Sequence, residues 1–182
     1  MKSFLTLAWE IFKIFIISLA IIIPIRYFLI QPFFVKGASM EPNYEDGEYL
    51  VIDELSYRFR EPQRGEVIVF RYPANPKEFF IKRIIGLPGE TIKFENNKII
   101  IQNTVHPDGF ILNESTYLKN IPPLGEQTFI LKSNEFFVLG DNRGASFDSR
   151  RWGPLPRENI VGKVWLRAWP VTRAKVMEAP VY

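Results

Sequence analysis

The sequence predicts a mainly β protein, with antiparallel sheets in a sandwich or partly open barrel and one N-terminal transmembrane helix. Three observations lead to this prediction. A single long apolar run lies near the N-terminus, and the rest of the chain contains short segments rich in β-branched and aromatic residues. The 14 Pro and 11 Gly residues punctuate these segments, and no later stretch keeps a long helical period.

The apolar run predicts a membrane anchor. Residues 14–25 are apolar at all but two positions, and 11–30 supply the roughly 20 mostly apolar residues that a spanning helix needs. Lys13 and Arg26 would then extend toward opposite membrane interfaces. A cleaved signal peptide is the alternative, but no small-x-small cleavage sequence follows the run. We therefore assign residues 1–32 to an anchor, with a small charge bias toward a cytoplasmic N-terminus.

The β domain is predicted to comprise residues 33–182, with a loop-rich excursion near 103–127. The segment 91–95 alternates apolar and polar residues, an Asn-Asn pair turns the chain, and 98–101 returns as the second strand of a hairpin. The other predicted strands are 49–52, 66–70, 79–85, 136–139 and 161–169.

Composition narrows the possible chemistry. The chain has 182 residues, a net charge of +3, no Cys and one His. The lack of Cys excludes disulfides, thiolate metal sites and Cys nucleophiles. His106 lies in the excursion and is most simply a surface residue. No cluster has the spacing of metal ligands, and no nucleic-acid motif accompanies the arginines. We therefore expect no metal, no cofactor and no nucleic-acid partner.

A turn just after the apolar run contains a candidate nucleophile. The segment 37–42 has the sequence GASMEP, in which Gly37 lets the backbone bend and Pro42 ends regular structure. Ser39 in such a turn would be exposed, with a backbone N–H beside it that can help to form an oxyanion hole. An ordinary loop serine is the alternative.

Lys82 is the candidate base. A serine needs a base to act as a nucleophile at neutral pH, but a lysine with its ordinary pKa near 10.4 is already protonated. On a strand, Lys82 shares one face with Phe80 and Ile84, two large apolar neighbours. Burial there would lower the lysine pKa, because it disfavours the ammonium form. The alternative is a lysine at a sheet edge whose ammonium reaches solvent.

A third polar cluster, 140–150, follows the predicted strand 136–139. Asp148 and Arg150 can pair and brace the loop, and Ser146 can hydrogen-bond a lysine amine and orient it. The alternative is a polar turn with solvated charges.

Taken together, these segments resemble bacterial type I signal peptidases, the membrane-bound Ser-Lys endopeptidases that remove signal peptides. After the apolar anchor, 39–42 (SMEP) is similar to the family's nucleophile box, and 64–70 (RGEVIVF) resembles the next strand motif. The segment 82–90 (KRIIGLPGE) is close to the lysine box, and 140–150 resembles the last box. The four motifs occur in order and cover most of the chain.

The resemblance implies a role for each candidate residue. Ser39 would attack the scissile carbonyl, with Lys82 as the general base and an acyl-enzyme ester as the intermediate. Ser146 would orient the Lys82 amine, while Asp148 and Arg150 would hold the loop.

Two positions depart from the family pattern. In some relatives a serine two positions before the nucleophile donates a second oxyanion hydrogen bond, and here that position is Gly37. Gly144 and Ala145 stand where a more polar pair is usual. We expect the oxyanion donor to be a backbone N–H, and we expect the second departure to affect local loop contacts only.

The resemblance also implies a substrate and a location. The family cuts after small-x-small sequences, so shallow apolar pockets are expected, and the partners would be preprotein signal peptides and the lipid bilayer. The compact, single-anchor form implies a single-pass protein of the plasma (inner) membrane, with a cytoplasmic N-terminus and an extracytoplasmic catalytic domain. By similarity, the substrate cleft would use Val35, Lys36, Met40, Phe80 and Ile81.

Three other functions stay open at this point. The chain could be a specialised peptidase that matures one pilin or conjugation-type substrate, or an inactive membrane-tethered binding module with the same fold. A self-cleaving regulator like the SOS repressors also uses Ser and Lys, but such proteins have a DNA-binding helical domain where this chain has an apolar run.

Overall fold

A computed structural model of the chain describes residues 4–28, 31–119, 122–180 and 182. Two α-helices are present in these ranges, α1 (Phe4–Phe28) and α2 (Ser149–Trp152). The strands are β1 (Gln31–Phe34), β2 (Tyr49–Asp53), β3 (Val67–Tyr72), β4 (Asn75–Gly86), β5 (Thr91–Glu95), β6 (Lys98–Gln102), β7 (Phe110–Ile111), β8 (Gln127–Ile130), β9 (Glu135–Leu139), β10 (Leu155–Pro156), β11 (Ile160–Trp169) and β12 (Lys175–Val176).

The strands form two sheets, and every strand pair is antiparallel. The larger sheet has eight strands in the order β1-β2-β11-β3-β4-β9-β10, with β12 paired to β11. The smaller sheet has four strands in the order β7-β6-β5-β8. The prediction of a mainly β protein built from antiparallel sheets is therefore confirmed.

The predicted hairpin is also confirmed. β5 and β6 pair in register from Thr91 with Gln102 to Glu95 with Lys98. Asn96 and Asn97 connect them with positive φ angles of 49° and 59°. Asparagine tolerates this left-handed conformation better than most residues, and two such residues in succession match the twist of a hairpin.

The core consists of three apolar clusters that tie the elements together. One lies between the smaller sheet and β9, and includes Ile92, Ile101 and Phe137. The second lies beneath β1, β2 and β11 and contains Met40. The third lies on the opposite side of the larger sheet and includes Phe70. The second cluster matters most for function, because it holds the turn that follows β1.

The N-terminal helix α1 is 25 residues long, and many of its apolar side chains are exposed. Across the part of the chain that the structure describes, no helix meets the length and hydropathy required of a membrane span. The transmembrane helix predicted from the apolar run is therefore unconfirmed. Residues 29 and 30, the end of the predicted span, lie outside the described residues.

The excursion predicted at 103–127 is mostly turns and irregular backbone, with β7 as its only strand before β8 among the described residues. Five short strands were not predicted, namely β1, β7, β8, β10 and β12. Each has two to four residues, which is too short to display an alternating pattern.

Candidate functional site

The turn between β1 and β2 presents Ser39. The Glu41 N–H donates to the Ala38 carbonyl, and the Tyr44 N–H donates to the Met40 carbonyl, so the chain forms successive tight turns here. Met40 is 0% exposed and packs in the cluster beneath β1 and β2. With this side chain anchored in the core, the adjacent Ser39 is held half-buried at the surface.

Gly37 has a role in this turn that involves its backbone alone. Its φ of +86° lies in the left-handed region that favours glycine, and its N–H donates to Asp46 Oδ1 at 2.6 Å. The Gly37 N–H is therefore already engaged. The Ser39 N–H, in contrast, donates to no group in the described ranges.

Strand β4 places the Lys82 side chain next to Ser39. β4 pairs with β3 so that Lys82 lies opposite Ile68. The Lys82 Nζ lies 2.8 Å from Ser39 Oγ and donates a second hydrogen bond of 2.8 Å to the Ile81 carbonyl. The side chain is sheltered on one side by the Phe80 ring, whose centroid is 5.5 Å from Nζ. Two residues from distant segments thus form one amine–hydroxyl pair.

The environment of Lys82 favours its neutral form. The residue is only 4% exposed, and burial lowers the pKa of its amine from the ordinary 10.5 to about 8. The nearby carboxylates of Asp148 and Asp141 act in the opposite direction, but desolvation is the larger effect. An amine with this pKa is a competent base near neutral pH, and it contacts a hydroxyl that it can deprotonate.

The loop between β9 and α2 holds the Ser39 turn in place. The Asn142 N–H donates to the Ser39 carbonyl at 3.0 Å, and Asn142 Nδ2 donates to the Ala38 carbonyl at 3.1 Å. Asn142 was not singled out from the sequence. The bond from its side-chain amide to Ala38 joins residues 104 positions apart, and a contact over such a distance leaves no local signal in the sequence.

Asp148 and Arg150 form an ion pair within this loop. Arg150 Nε lies 2.8 Å from Asp148 Oδ1, and Arg150 Nη2 also donates to the Arg143 carbonyl at 2.8 Å. Asp148 is fully buried and accepts a further hydrogen bond from the Gly140 N–H at 3.0 Å. Its side chain also caps the N-terminus of α2. The pair therefore closes the loop between Gly140 and α2.

Ser146 is buried in the same loop, but its hydroxyl makes no hydrogen bond to any described residue. The hydrogen bond expected from Ser146 to the Lys82 amine is thus not formed in this structure. Gly140 lies so close that a Cβ added to it would overlap with Ser146 Oγ. The close approach of Gly140 therefore restricts the position of the Ser146 hydroxyl.

Two buried ion pairs surround the site, and sequence reasoning gave neither. Arg83 binds Asp141 through two bonds, Nε to Oδ1 at 2.8 Å and Nη2 to Oδ2 at 2.6 Å. Arg143 binds Glu114 in the same bidentate manner, at 2.7 and 2.5 Å. The second pair fastens the excursion to the loop after β9. Both satisfy charges that would be costly to bury alone.

A cleft of about 350 Å³ opens beside Ser39 and Lys82. Four of the five residues expected to line it do so, namely Val35, Lys36, Phe80 and Ile81. Met40 does not line the cleft, because its side chain points into the core beneath it. Several lining residues were missed by the sequence reasoning: Phe33, Phe34, Ala38, Leu50, Phe79, Ala145 and Phe147.

Two strand edges border this cleft. Among the described residues, β1 is the terminal strand of the larger sheet and pairs only with β2. Residues 79–82 of β4 pair with β3 on one side, and the described pairing of β4 with β9 involves Arg83, Ile84 and Gly86. The Ile81 carbonyl is engaged by Lys82, but the other backbone groups on the unpaired sides of β1 and of 79–82 are available for an extended peptide to pair with.

The other candidate groups do not converge on the site. In the described ranges, no group of three or more His, Cys, Asp or Glu side chains is arranged to hold a metal ion. His106 is exposed and packs edge-on against Phe110, with ring centroids 5.1 Å apart, and it does not line the cleft.

Comparison with known proteins identifies the family. The family model described as signal peptidase, peptidase S26, matches residues 8–169. A protein of Synechocystis sp. named probable signal peptidase I-2 is 35% identical over 173 residues, which cover 92% of this chain and 76% of that protein. Signal peptidase IB of Staphylococcus aureus is 31% identical over 175 residues, covering 88% and 91%.

A solved structure is also similar. The crystal structure of a signal peptidase I from Enterococcus faecalis is 28% identical, with a TM-score of 0.48, and it covers 58% of this chain and 97% of that one. The family model and the curated relatives together span nearly the whole chain. The protein is therefore a serine endopeptidase that belongs to the signal peptidase family, peptidase S26.

Proposed function

We propose that this protein removes N-terminal signal peptides from exported preproteins, with Ser39 as the nucleophile and Lys82 as the general base. The observation that carries this proposal is the 2.8 Å separation of Lys82 Nζ and Ser39 Oγ in a setting where the amine is 4% exposed. The relatives named signal peptidase I support the same substrate class.

The reaction proceeds through an acyl-enzyme ester. When the Lys82 amine is neutral, the Ser39 O–H donates to its lone pair, and the amine takes the proton as Oγ attacks the scissile carbonyl. The resulting ammonium then protonates the leaving amine of the mature protein. The amine, neutral again, takes a proton from a water molecule that attacks the ester, and returns that proton to Ser39 Oγ as the ester bond breaks and the signal peptide leaves.

The Ser39 N–H stabilises the oxyanion that forms in each step. The available donors support this assignment, since the Gly37 N–H is engaged by Asp46 and the Ser39 N–H has no acceptor in the described chain. A backbone donor aimed at the developing charge lowers the barrier most when the site excludes water.

The signal peptide binds in an extended conformation between β1 and the 79–82 segment of β4. Backbone hydrogen bonds along these edges supply affinity, while alternate side chains of the peptide enter the cleft. Large apolar residues such as Phe80 and Ile81 line the cleft. An apolar lining suits the short apolar side chains of a small-x-small sequence. Met40 contributes indirectly, as the floor that holds the turn.

Ser146, Asp148 and Arg150 act as positioning residues. Because a buried hydroxyl without a partner is unfavourable, a hydrogen bond from Ser146 to the Lys82 amine during the reaction would satisfy that hydroxyl. The Asp148–Arg150 pair keeps the loop, and therefore Asn142, against the Ser39 turn.

The helix α1 attaches the protein to the plasma (inner) membrane, with a cytoplasmic N-terminus and the β domain on the extracytoplasmic side. Most of its apolar side chains between Phe4 and Ile22 are exposed, which supports contact with lipid. The exposed apolar residues are Phe4, Leu7, Trp9, Ile11, Phe12, Ile14, Phe15, Ile16, Ile17, Ile21 and Ile22. Flotation with liposomes and resistance to carbonate extraction test this attachment, and full release into the aqueous phase would contradict it.

The function itself is tested with a purified preprotein. The full chain in detergent or liposomes is incubated with the preprotein, and the new N-terminus of the product is read by sequencing or mass spectrometry. We expect a single cut after a small-x-small sequence at the end of the signal peptide. No cleavage, or cleavage at unrelated positions, would contradict the proposal.

A further inference from the structure

A second cavity adjoins the turn that carries Ser39. In the turn, residues up to Ser39 line the cleft described above, and residues from Glu41 line the second cavity. In the loop after β9, Ala145 and Phe147 line the cleft, whereas residues 141–144 line the second cavity. The two spaces therefore lie on either side of the nucleophile. The second one has a volume of about 790 Å³, within the roughly 300–1,000 Å³ range of ligand sites.

The chemistry of the two spaces differs. The cleft is walled mainly by Phe, Ile, Val and Leu side chains. The second cavity is walled mainly by carboxylate, amide, hydroxyl and guanidinium groups. A polypeptide that runs through both would meet an apolar surface before the scissile bond and a polar surface after it. This change matches the junction between an apolar signal peptide and a mature protein.

Four charged side chains line the second cavity, and two of them, Asp141 and Arg143, are already paired, which leaves Glu41 and the exposed Lys119. Asp141 is paired with Arg83 and accepts a hydrogen bond from Asn43 Nδ2 at 2.8 Å. Arg143 is paired with Glu114. The half-buried carboxylate of Glu41, two residues after Ser39, has no hydrogen bond or ion pair to any residue that the structure describes. Of the two charges without an ion pair in the described residues, Glu41 lies next to the nucleophile in the chain, whereas Lys119 belongs to the excursion.

We propose that this cavity binds the first residues of the mature protein and that Glu41 makes the enzyme prefer basic over acidic side chains there. The inference rests on the proposed function and adds a second determinant of specificity to it. The cavity would bind chain on the leaving-amine side of the scissile bond, while the cleft binds the signal-peptide side. A carboxylate in a partly desolvated wall attracts a Lys or Arg side chain and repels Asp or Glu.

The test uses preproteins that are identical up to the cleavage junction and carry Lys, Gln or Glu in the first three positions after it. The kcat/KM of the full-length wild type is compared with that of Glu41→Gln. Glu95→Gln is the matched control, because it removes an exposed carboxylate on the smaller sheet, outside both cavities. We expect the wild type and the control to cleave the Lys substrate roughly three- to tenfold faster than the Glu substrate.

In Glu41→Gln the ratio of kcat/KM for the Lys substrate to that for the Glu substrate should fall to about one, and Glu41→Lys should reverse the preference. Equal cleavage of all three substrates by the wild type would overturn the inference while leaving the proposed function intact. The same holds if Glu41→Gln keeps the wild-type preference. Failure of the wild type to cut any member of the series would contradict the proposed function, and this inference with it.

Discussion

Lys82 Nζ and Ser39 Oγ lie 2.8 Å apart, although 43 positions separate the two residues in the chain. The contact depends on two separate features. The pairing of β4 with β3 fixes Lys82 opposite Ile68, and the backbone contacts of Asn142 fix the Ser39 turn. Because both partners are held by regular or hydrogen-bonded backbone, the pair is preorganised before any substrate binds.

The cleavage rate should depend on pH through the Lys82 amine. Since burial lowers its pKa to about 8, the neutral fraction rises as the pH increases through that value. We expect kcat/KM to rise about tenfold per pH unit below the midpoint and to level off above it. Initial rates measured from about pH 6 to about pH 10 check this. A midpoint near the ordinary lysine value of 10.5, or a profile without any rise, would contradict a buried neutral base.

Ser146→Ala separates a positioning role from a packing role. If the Ser146 hydroxyl orients the Lys82 amine, kcat should fall by about tenfold or more and the midpoint of the pH profile should move. The free energy of unfolding should stay the same or increase, since the buried hydroxyl has no partner in the described structure.

Ser149→Ala provides the contrast to Ser146→Ala. Ser149 Oγ accepts a hydrogen bond from the Val138 N–H at 3.1 Å, so its removal should lower stability by about 1 to 3 kcal/mol. The pH profile of the folded enzyme should not change. A wild-type kcat and pH profile in Ser146→Ala would show that Ser146 only fills space.

Gly140→Ala should damage the site through crowding. A methyl group at this position would overlap with Ser146 Oγ and with the Ser39 carbonyl oxygen. We expect a loss of about 1 to 3 kcal/mol in the free energy of unfolding and a disproportionate fall in kcat. Gly144→Ala is the control, because the nearest atom to its methyl is Pro122 Cγ at 4.0 Å. Equal activity in the two variants would argue against close packing between Gly140 and the Ser39 turn.

The Arg83–Asp141 pair should contribute strongly to stability. Asp141→Asn leaves the Arg83 guanidinium buried without its counter-charge, which typically costs about 3 to 5 kcal/mol. Glu61→Gln breaks the exposed pair with Arg157 and should cost about 0 to 1 kcal/mol. Urea denaturation of both variants measures the difference. Similar losses in the two would mean that burial does not set the value of the Arg83 pair.

Much of the fold was accessible from the sequence because its longer strands carry a clear pattern. β5 alternates apolar and polar residues and is joined to β6 by two asparagines, and the structure pairs the two strands as a hairpin. Short strands such as β10 and β12 have two residues each, and their pairing is set by the tertiary fold. No local sequence pattern predicts these short strands.

Likewise, only some residues of the candidate site could be proposed from the sequence. Ser39 and Lys82 could be proposed because their chemistry and neighbours are visible in short segments. Met40 was assigned to the cleft by similarity to the family, but successive residues in a turn point in different directions, and its side chain enters the core. Asn142 and Glu114 act through contacts that cross the fold, which residue type alone does not disclose.

The most direct test of the amine–hydroxyl pair is the rate at which Ser39→Ala and Lys82→Met cleave a preprotein. Each variant is measured beside the wild type at a pH at or above the Lys82 pKa of about 8. Lys98→Met is the matched control, because Lys98 is exposed at the hairpin of the smaller sheet. We expect both site variants to fold and to lose roughly a thousandfold or more in rate, with the control unchanged. Cleavage at close to the wild-type rate by either folded site variant would contradict the Ser-Lys mechanism.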